Sequence, residues 1–321
     1  MAKFDDIFLI THEKCLLHQT HIDHPESPER LKVILKRLKE SILGPSLKIV
    51  KADKAKREYL KLVHSDEYLF RFEETCLSGK EFFGHPDNSV SYDTFEASLY
   101  AVGACLKGVD LIEAGEAKYV FCCVRPPGHH AEAEIPLGFC FLNNVAITAR
   151  YWQSVYGREK IAIIDWDAHH GNGIEGVFLE DPTVLYISIH EHPTFSFPGT
   201  GYSEDRGEGQ GRGATLNIPL PPGAGENEVM EILKEEVNIA LESFNPQVII
   251  IAAGFDGHEM DDMSGLSYPT RVYGNLGIAA RLWADKYCGG RLLTILEGGY
   301  HLEALSASCE RYLGGLALRA Q

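Results

Sequence analysis

Two carboxylates and an imidazole stand at two-residue spacing near the middle of the chain: Asp165, Asp167 and His169, within IAIIDWDAHHGNG at 161–173. Side chains alternate sides in an extended segment, so this spacing sends all three the same way. Such a cluster at a strand end is costly to desolvate without a countercharge, and a divalent metal supplies one. A solvated acidic loop after a core strand is the competing reading.

Three other apolar runs end in titratable residues. The run ending at Val124 leads to Gly128-His129-His130, the run ending at Ala253 to Gly254-Phe255-Asp256, and the run ending at Leu296 to Glu297-Gly298-Gly299-Tyr300. Ligands of open α/β sheets sit beyond the carboxyl ends of the strands, so four such ends point to one shared site. Asp167, His169 and Asp256 make an N/O ligand set with positions left open, the pattern of a catalytic zinc site. Oxygen-rich ligation also suits Fe(II). The tandem pair His129-His130 reads either as exposed loop histidines or as a pair handling protons for an activated water and a leaving amine. Each imidazole in such a pair needs an acceptor on its other nitrogen. Asp165 and Asn172 can serve, an Asp holding the more cationic ring and an Asn the more neutral one. Tyr300 can bring a hydroxyl to a carbonyl oxygen as an oxyanion donor. Phe139 and Phe197 lie in loops, either as walls of a narrow channel or as core.

The elements that must position these residues alternate. Strands are expected at Phe4 to Thr11, Lys118 to Val124, Lys160 to Ile164, Thr183 to Ile189, Thr215 to Ile218, Pro246 to Ala253 and Arg291 to Leu296. Helices are expected from the Ser27-Pro28-Glu29-Arg30 start to about Leu43, from Tyr68, and over Thr94 to Ala114, Asn143 to Tyr156, Ile174 to Leu179, Glu226 to Phe244, Tyr268 to Tyr287 and Leu302 to Leu318. This rhythm predicts an α/β fold, a mostly parallel sheet flanked by helices on both faces. With no linker or repeat in sight, residues 1–321 read as a single domain. Gly207-Glu208-Gly209-Gln210-Gly211 does not join a strand to a helix, so it reads as a mobile surface loop, not a nucleotide fingerprint.

The 321 residues carry a net charge of −16, which argues against direct nucleic-acid or anionic-membrane partners. No apolar run reaches membrane-spanning length, and MAKFDDIFLITHEK lacks a signal-peptide pattern. Eight irregularly spaced cysteines, with Cys122 and Cys123 in an apolar run, read as core thiols of a reducing, cytoplasmic setting.

RPPGHHAE with GFCFLNN, then DWDAHHGNG, FPGTG, AAGFDGHE and LEGGY occur in this order. Together they closely resemble the histone deacetylase superfamily, from HPESPERL near residue 24 to LEGGYHLEAL near residue 305. The resemblance implies the arginase–deacetylase fold and zinc-dependent hydrolysis of an acetyl-lysine-like amide. It implies zinc on Asp167, His169 and Asp256; His129 backed by Asp165 and His130 by Asn172; Tyr300 polarising the carbonyl; and a tunnel walled by Phe139 and Phe197, with Gly138. It further implies structural potassium on main-chain oxygens of Asp165, Asp167, His169 and Ile189 with the Ser188 hydroxyl, and a rim aspartate at Asp87. Asn172 resembles the class II and bacterial branch. Three departures stand out: Asp261-Asp262 where many relatives have Asp-Pro, His301 where Asn is common, and Met263 where polyamine-specific members carry an acidic gatekeeper. The expected partner is an acylated lysine in a peptide or protein, or another acylated amine, and self-association is compatible with it. An acetylpolyamine amidohydrolase and a non-catalytic acyl-lysine binder are the alternatives.

Overall fold

The computed structural model describes residues 4–318. Its strands are Ile7–Thr11 (β1), Leu47–Lys51 (β2), Tyr119–Cys122 (β3), Ile161–Asp165 (β4), Val184–Glu191 (β5), Thr215–Leu220 (β6), Val248–Ala253 (β7) and Leu292–Leu296 (β8). They form one sheet in the order β2-β1-β3-β8-β7-β4-β5-β6, and every pair is parallel. The helices are Glu29–Glu40 (α1), Arg57–Leu60 (α2), Asp66–Leu77 (α3), Thr94–Glu113 (α4), Asn144–Tyr156 (α5), Asn172–Phe178 (α6), Glu226–Ile232 (α7), Asn238–Phe244 (α8), Thr270–Tyr287 (α9) and Leu302–Ala317 (α10).

The inner strands YVFC, LLTIL, VIIIAA and IAIID are buried at every residue. A parallel strand covered on both faces reads as a continuous apolar run. Strand β8 shows the two coverings. Leu293 lies where a side chain on Gly108 of α4 would collide with it. Its neighbour Thr294 turns the other way, its hydroxyl 2.6 Å from the Tyr312 hydroxyl on α10. All eight cysteines are free and buried, Cys122 and Cys123 among them.

The expected elements are present with corrections. Strand β1 starts at Ile7, and Phe4 makes only an isolated antiparallel bridge to Leu318. Strand β2 is an addition: an edge strand, LKIVK, with no buried residue, so it lacks the apolar signal of its neighbours. The segment 226–244 is interrupted by a π turn, Leu233–Val237, between α7 and α8. Helix α9 begins after Pro269, and α3 two residues earlier than expected, at the Ser65 cap. The glycine-rich 207–211 segment is tied down, the Glu208 amide donating to the Leu179 carbonyl at 2.7 Å. The outermost residues of the expected 1–321 domain, 1–3 and 319–321, lie outside the described residues.

One ion cluster sits wholly inside. Glu26 accepts two bonds from the Arg125 guanidinium, one of 2.6 Å, and lies 3.2 Å from Arg30, all three fully buried. Burial alone would raise the Glu26 carboxyl, but Arg125 and His18 together outweigh it and hold it well below the usual carboxylate range. Glu26→Ala strands two buried cations and should cost about 3–5 kcal/mol of stability, read from the denaturant midpoint. The folded-state pKa is depressed, so the contribution is complete above the ordinary carboxylate value and lost only as pH falls through the lowered one.

Candidate metal centre and catalytic cavity

The four strands ending in chemistry, β3, β8, β7 and β4, are consecutive neighbours in the sheet. Cys122, Ile295, Ala252 and Asp165 lie in one row across it. Their C-terminal loops therefore emerge side by side.

At the end of β4 the chain leaves the extended conformation, so the expected alternation does not continue past Asp165. Asp165 Oδ1 accepts the Asp167 amide at 3.1 Å, and Asp167 Oδ1 accepts the His169 amide at 3.0 Å. Such i→i+2 side-chain turns re-aim each residue. The three side chains consequently do not share one target. Asp165 Oδ2 faces His129 Nδ1 at 3.2 Å and accepts from the Tyr186 hydroxyl at 3.2 Å. Asp167 and His169 converge instead with Asp256, their ligand atoms all within 4.8 Å of one another and all three residues buried.

His169 Nδ1 lies 3.1 Å from both Asp167 Oδ1 and Asp256 Oδ2. Its Nε2 lies 3.1 Å from the Met263 carbonyl, which can only accept, so Nε2 carries a hydrogen and Nδ1 is the nitrogen that could ligate a cation. Without a cation, burial would lower the His169 pKa, but the Asp167 and Asp256 carboxylates raise it well above the usual value, and a proton takes the countercharge's place. The backbone braces both acids: Gly298 N–H donates to Asp167 Oδ2 at 2.7 Å, and Ala168 N–H to Asp256 Oδ1 at 2.9 Å. Two glycines make the space. A Cβ on Gly254 would stand 2.3 Å from Asp167 Oδ2, and one on Gly298 2.2 Å from Asp256 Oδ2. A buried Asp-His-Asp set with backbone-braced carboxylates fits a divalent cation. Gly298→Ala displaces two ligands at once and should weaken zinc binding by at least the ~10–100-fold typical of lost supporting contacts, as measured by zinc titration.

The two loop histidines lie ring against ring, centroids 3.9 Å apart, but in unlike surroundings. His130 Nδ1 lies 2.8 Å from Asn172 Oδ1. Asn172 Nδ2 donates to Glu132 at 2.9 Å, which fixes the amide with its oxygen toward the ring. Burial opposes charge on both rings. On His129 the Asp167 and Asp165 carboxylates outweigh it and push the pKa up to about 10. On His130 burial, joined by the charges of His129 and His169, pushes it well below the usual value. A cation on Asp167 takes up part of the charge felt by His129. Glu297 sits beneath this loop, Oε2 accepting the Gly128 and His129 amides at 2.7 and 3.1 Å, and burial pushes its carboxyl up to about 7.

A cavity of about 420 Å³ opens onto the centre. Its lining includes every tunnel residue named from the sequence, Asp87, Gly138, Phe139, Phe197 and Met263, together with His130, His169 and Tyr300. Phe139 is held by a two-residue hairpin in which Leu137 and Cys140 exchange backbone bonds of 3.2 and 2.9 Å. Both central residues have positive φ, 53° at Gly138 and 67° at Phe139. That is the type I′ pattern, which favours Asn or Gly and is uphill for Phe. The cost is consistent with a ring needed at this spot: it meets Tyr300 edge-on at 5.8 Å, while Phe197 meets His130 at 5.0 Å. Asp87 lies 3.1 Å from His85. Ser188 Oγ lies 2.8 Å from His190 Nδ1.

Other residues at the site were not singled out from the sequence. Arg30 donates from Nε to the Gly299 carbonyl at 2.6 Å, and also to the Glu297 carbonyl, and its guanidinium lies 4.9 Å from the Tyr300 ring centroid. Its signal was the i,i+4 pair with Glu26 across Ser27-Pro28. His21, His24 and Pro25 line the mouth; His18, His21 and His24 recur every three residues in one loop, a spacing that by itself assigns them no role.

The histone deacetylase domain model matches residues 24–316. The chain is 40% identical over 297 residues, 92% of its length and 81% of the relative's, to a "Probable deacetylase" of Archaeoglobus fulgidus. It is 37% identical over 319 residues to "Histone deacetylase 14, chloroplastic" of Arabidopsis thaliana, covering 94% of this chain and 75% of that protein. It is 35% identical over 277 residues to the "Histone deacetylase-like amidohydrolase" of Pseudomonas aeruginosa, covering 86% and 72%. Among solved structures, the HDA15 HD domain aligns with a TM-score of 0.91 at 32% identity, covering 97% of this chain and 88% of that one.

Proposed function

The chain belongs to the histone deacetylase family, and from that premise we propose that it is a zinc-dependent hydrolase that removes an acetyl or related acyl group from an N-acyl-lysine side chain. The observation that carries the proposal is the convergence of Asp167, His169 and Asp256 beside a cavity that His130 and Tyr300 also line. Asp167, His169 and Asp256 would hold the zinc, which would supply Lewis acidity and an activated water.

The chain's own residues do the rest. The aliphatic stem of the substrate lies between Phe139 and Phe197, whose rings exclude water. Tyr300 donates its hydroxyl hydrogen to the acyl oxygen as negative charge develops there. His130, whose Nδ1 is engaged by Asn172 and which is held neutral, takes the proton of the attacking water at Nε2. His129, held cationic by Asp165, stabilises the developing charge, and a protonated histidine returns a proton to the departing amine. The same reading includes a structural potassium ion, which the main-chain oxygens of Asp165, Asp167, His169 and Ile189 with the Ser188 hydroxyl would hold; Asp165 and Ser188 are paired across β4 and β5.

The test is a panel of acyl-lysine peptides beside acetylated polyamines, assayed with zinc-loaded protein. Turnover of the peptides is expected, because the only carboxylate among the cavity-lining residues is Asp87 and the gatekeeper position holds Met263. Preference for polyamines would move the reading to a small-molecule deacylase. Tight binding without turnover of either group would make the protein an acyl-lysine binder. No helix among the described residues is long and apolar enough to cross a membrane.

A further inference from the structure

One buried carboxylate beside the cavity has no part in the chemistry above. Asp261 is 5% exposed and lies in the segment that follows Asp256. Its Oδ2 accepts two consecutive backbone amides, those of Tyr300 at 2.6 Å and His301 at 2.9 Å. Its Oδ1 accepts the Met263 amide at 3.2 Å. Its own amide is anchored to the His258 carbonyl at 2.8 Å.

Tyr300 sits between β8 and α10, where no sheet ladder holds the backbone. The carbonyl side of this turn is gripped by Arg30, at Glu297 and Gly299, and the amide side by Asp261. The two amides on Asp261 come just before α10, whose N-cap is His301, its ring accepting the Ala304 amide. A carboxylate at a helix N-terminus is favourably placed against the unsatisfied amides and the dipole. The same side chain reaches the metal centre, because the Met263 carbonyl next to its Oδ1 contact orients His169.

We propose that Asp261 is a positioning residue, whose carboxylate sets the Tyr300 hydroxyl at the acyl-oxygen position by clamping the Tyr300 and His301 amides. The inference rests on the hydrolase reading of this site. A tyrosine that polarises a carbonyl must be placed within a fraction of an ångström, and a misplacement of about 1 Å can cost ~10²-fold in rate. In Asp261→Ala the Tyr300 and His301 amides lose their acceptor, and the turn keeps only its upstream holds, Arg30 on the Glu297 and Gly299 carbonyls and Asp167 on the Gly298 amide.

The test is a kinetic cycle on the zinc-loaded full chain with an acetyl-lysine peptide, comparing Asp261→Ala, Tyr300→Phe, the double variant and Asp261→Asn. Asp261→Ala should lower kcat by roughly 10–100-fold, with KM within about twofold. In the Tyr300→Phe background the same change should cost less than about threefold, because the group it positions is gone. Asp261→Asn keeps an oxygen for the two amides and should recover most of kcat. A loss of equal size in both backgrounds, a loss confined to KM, or an Asn variant as slow as Ala overturns the proposal. Zinc titration and melting of each variant separate misplacement of Tyr300 from damage to the metal site, and abolished zinc binding in both Asp261 variants also overturns it. A parent protein inactive on every acylated amine refutes the hydrolase reading itself, and this inference with it.

Discussion

Asp256→Ala is expected to leave a folded protein with no measurable deacylation and with zinc affinity reduced beyond the ~10–100-fold that loss of a mere supporting contact costs. Asp256 arrives from β7, while Asp167 and His169 arrive from β4, so it closes the ligand set across two neighbouring strands. Without it, one carboxylate and one imidazole remain, fewer than the three protein ligands of catalytic zinc sites. Burial and the neighbouring Asp167 charge push the Asp256 carboxyl up to about 6 in the metal-free protein, so its ionised form is not a source of stability there. The metal-free variant should melt somewhat below the parent, because the Ala168 amide loses its buried acceptor, but still cooperatively, while the zinc-dependent increase in melting temperature disappears. Loss of that increase without loss of cooperative unfolding is the signature of a missing ligand. A variant that binds zinc as the parent does would remove Asp256 from the metal centre.

Tyr300→Phe should lower kcat by about 10²–10³-fold, near 3 kcal/mol of transition-state stabilisation, and leave zinc affinity unchanged. The ring is braced by Phe139 and Arg30, and the substitution keeps both contacts while removing only the hydroxyl. Burial raises the Tyr300 pKa well above its ordinary value, so the hydroxyl stays protonated and able to donate across the working pH range. The kcat loss should accordingly be nearly independent of pH between about 6 and 9, a range below even the ordinary tyrosine value of ~10. An effect on KM alone would mark Tyr300 as a binding residue rather than an oxyanion donor.

The sheet was legible where strands are buried on both faces. Runs such as VIIIAA and IAIID admit few other readings, and each ends next to its polar loop. Strand β2 was not legible, because an edge strand half open to solvent carries neither a continuous apolar run nor a clean alternation. Around the centre, the sequence named the residues but misjudged one direction. Spacing of two implies a shared face only while the chain stays extended, and Asp165 is the last residue of β4. Partners distant in sequence were silent. Asp261 matches the Asp of the Asp-Pro pair found in many relatives, but nothing nearby in sequence marks its acceptor role, which depends on amides 39 and 40 residues away. The His301 departure has a local account: its ring nitrogen accepts the Ala304 amide at the N-cap, a place Asn also fills well. For Asp262 in place of Pro the structure offers no account.

The most direct test is a zinc titration of chelator-stripped protein in the presence of an ε-acetyl-lysine peptide, following acetate release. Turnover should rise in step with zinc, level off at one equivalent, and be absent in Asp256→Ala at every zinc concentration. Turnover that is indifferent to zinc, or one equivalent of zinc bound without acetate release from any acylated amine, would contradict a metal-dependent hydrolase.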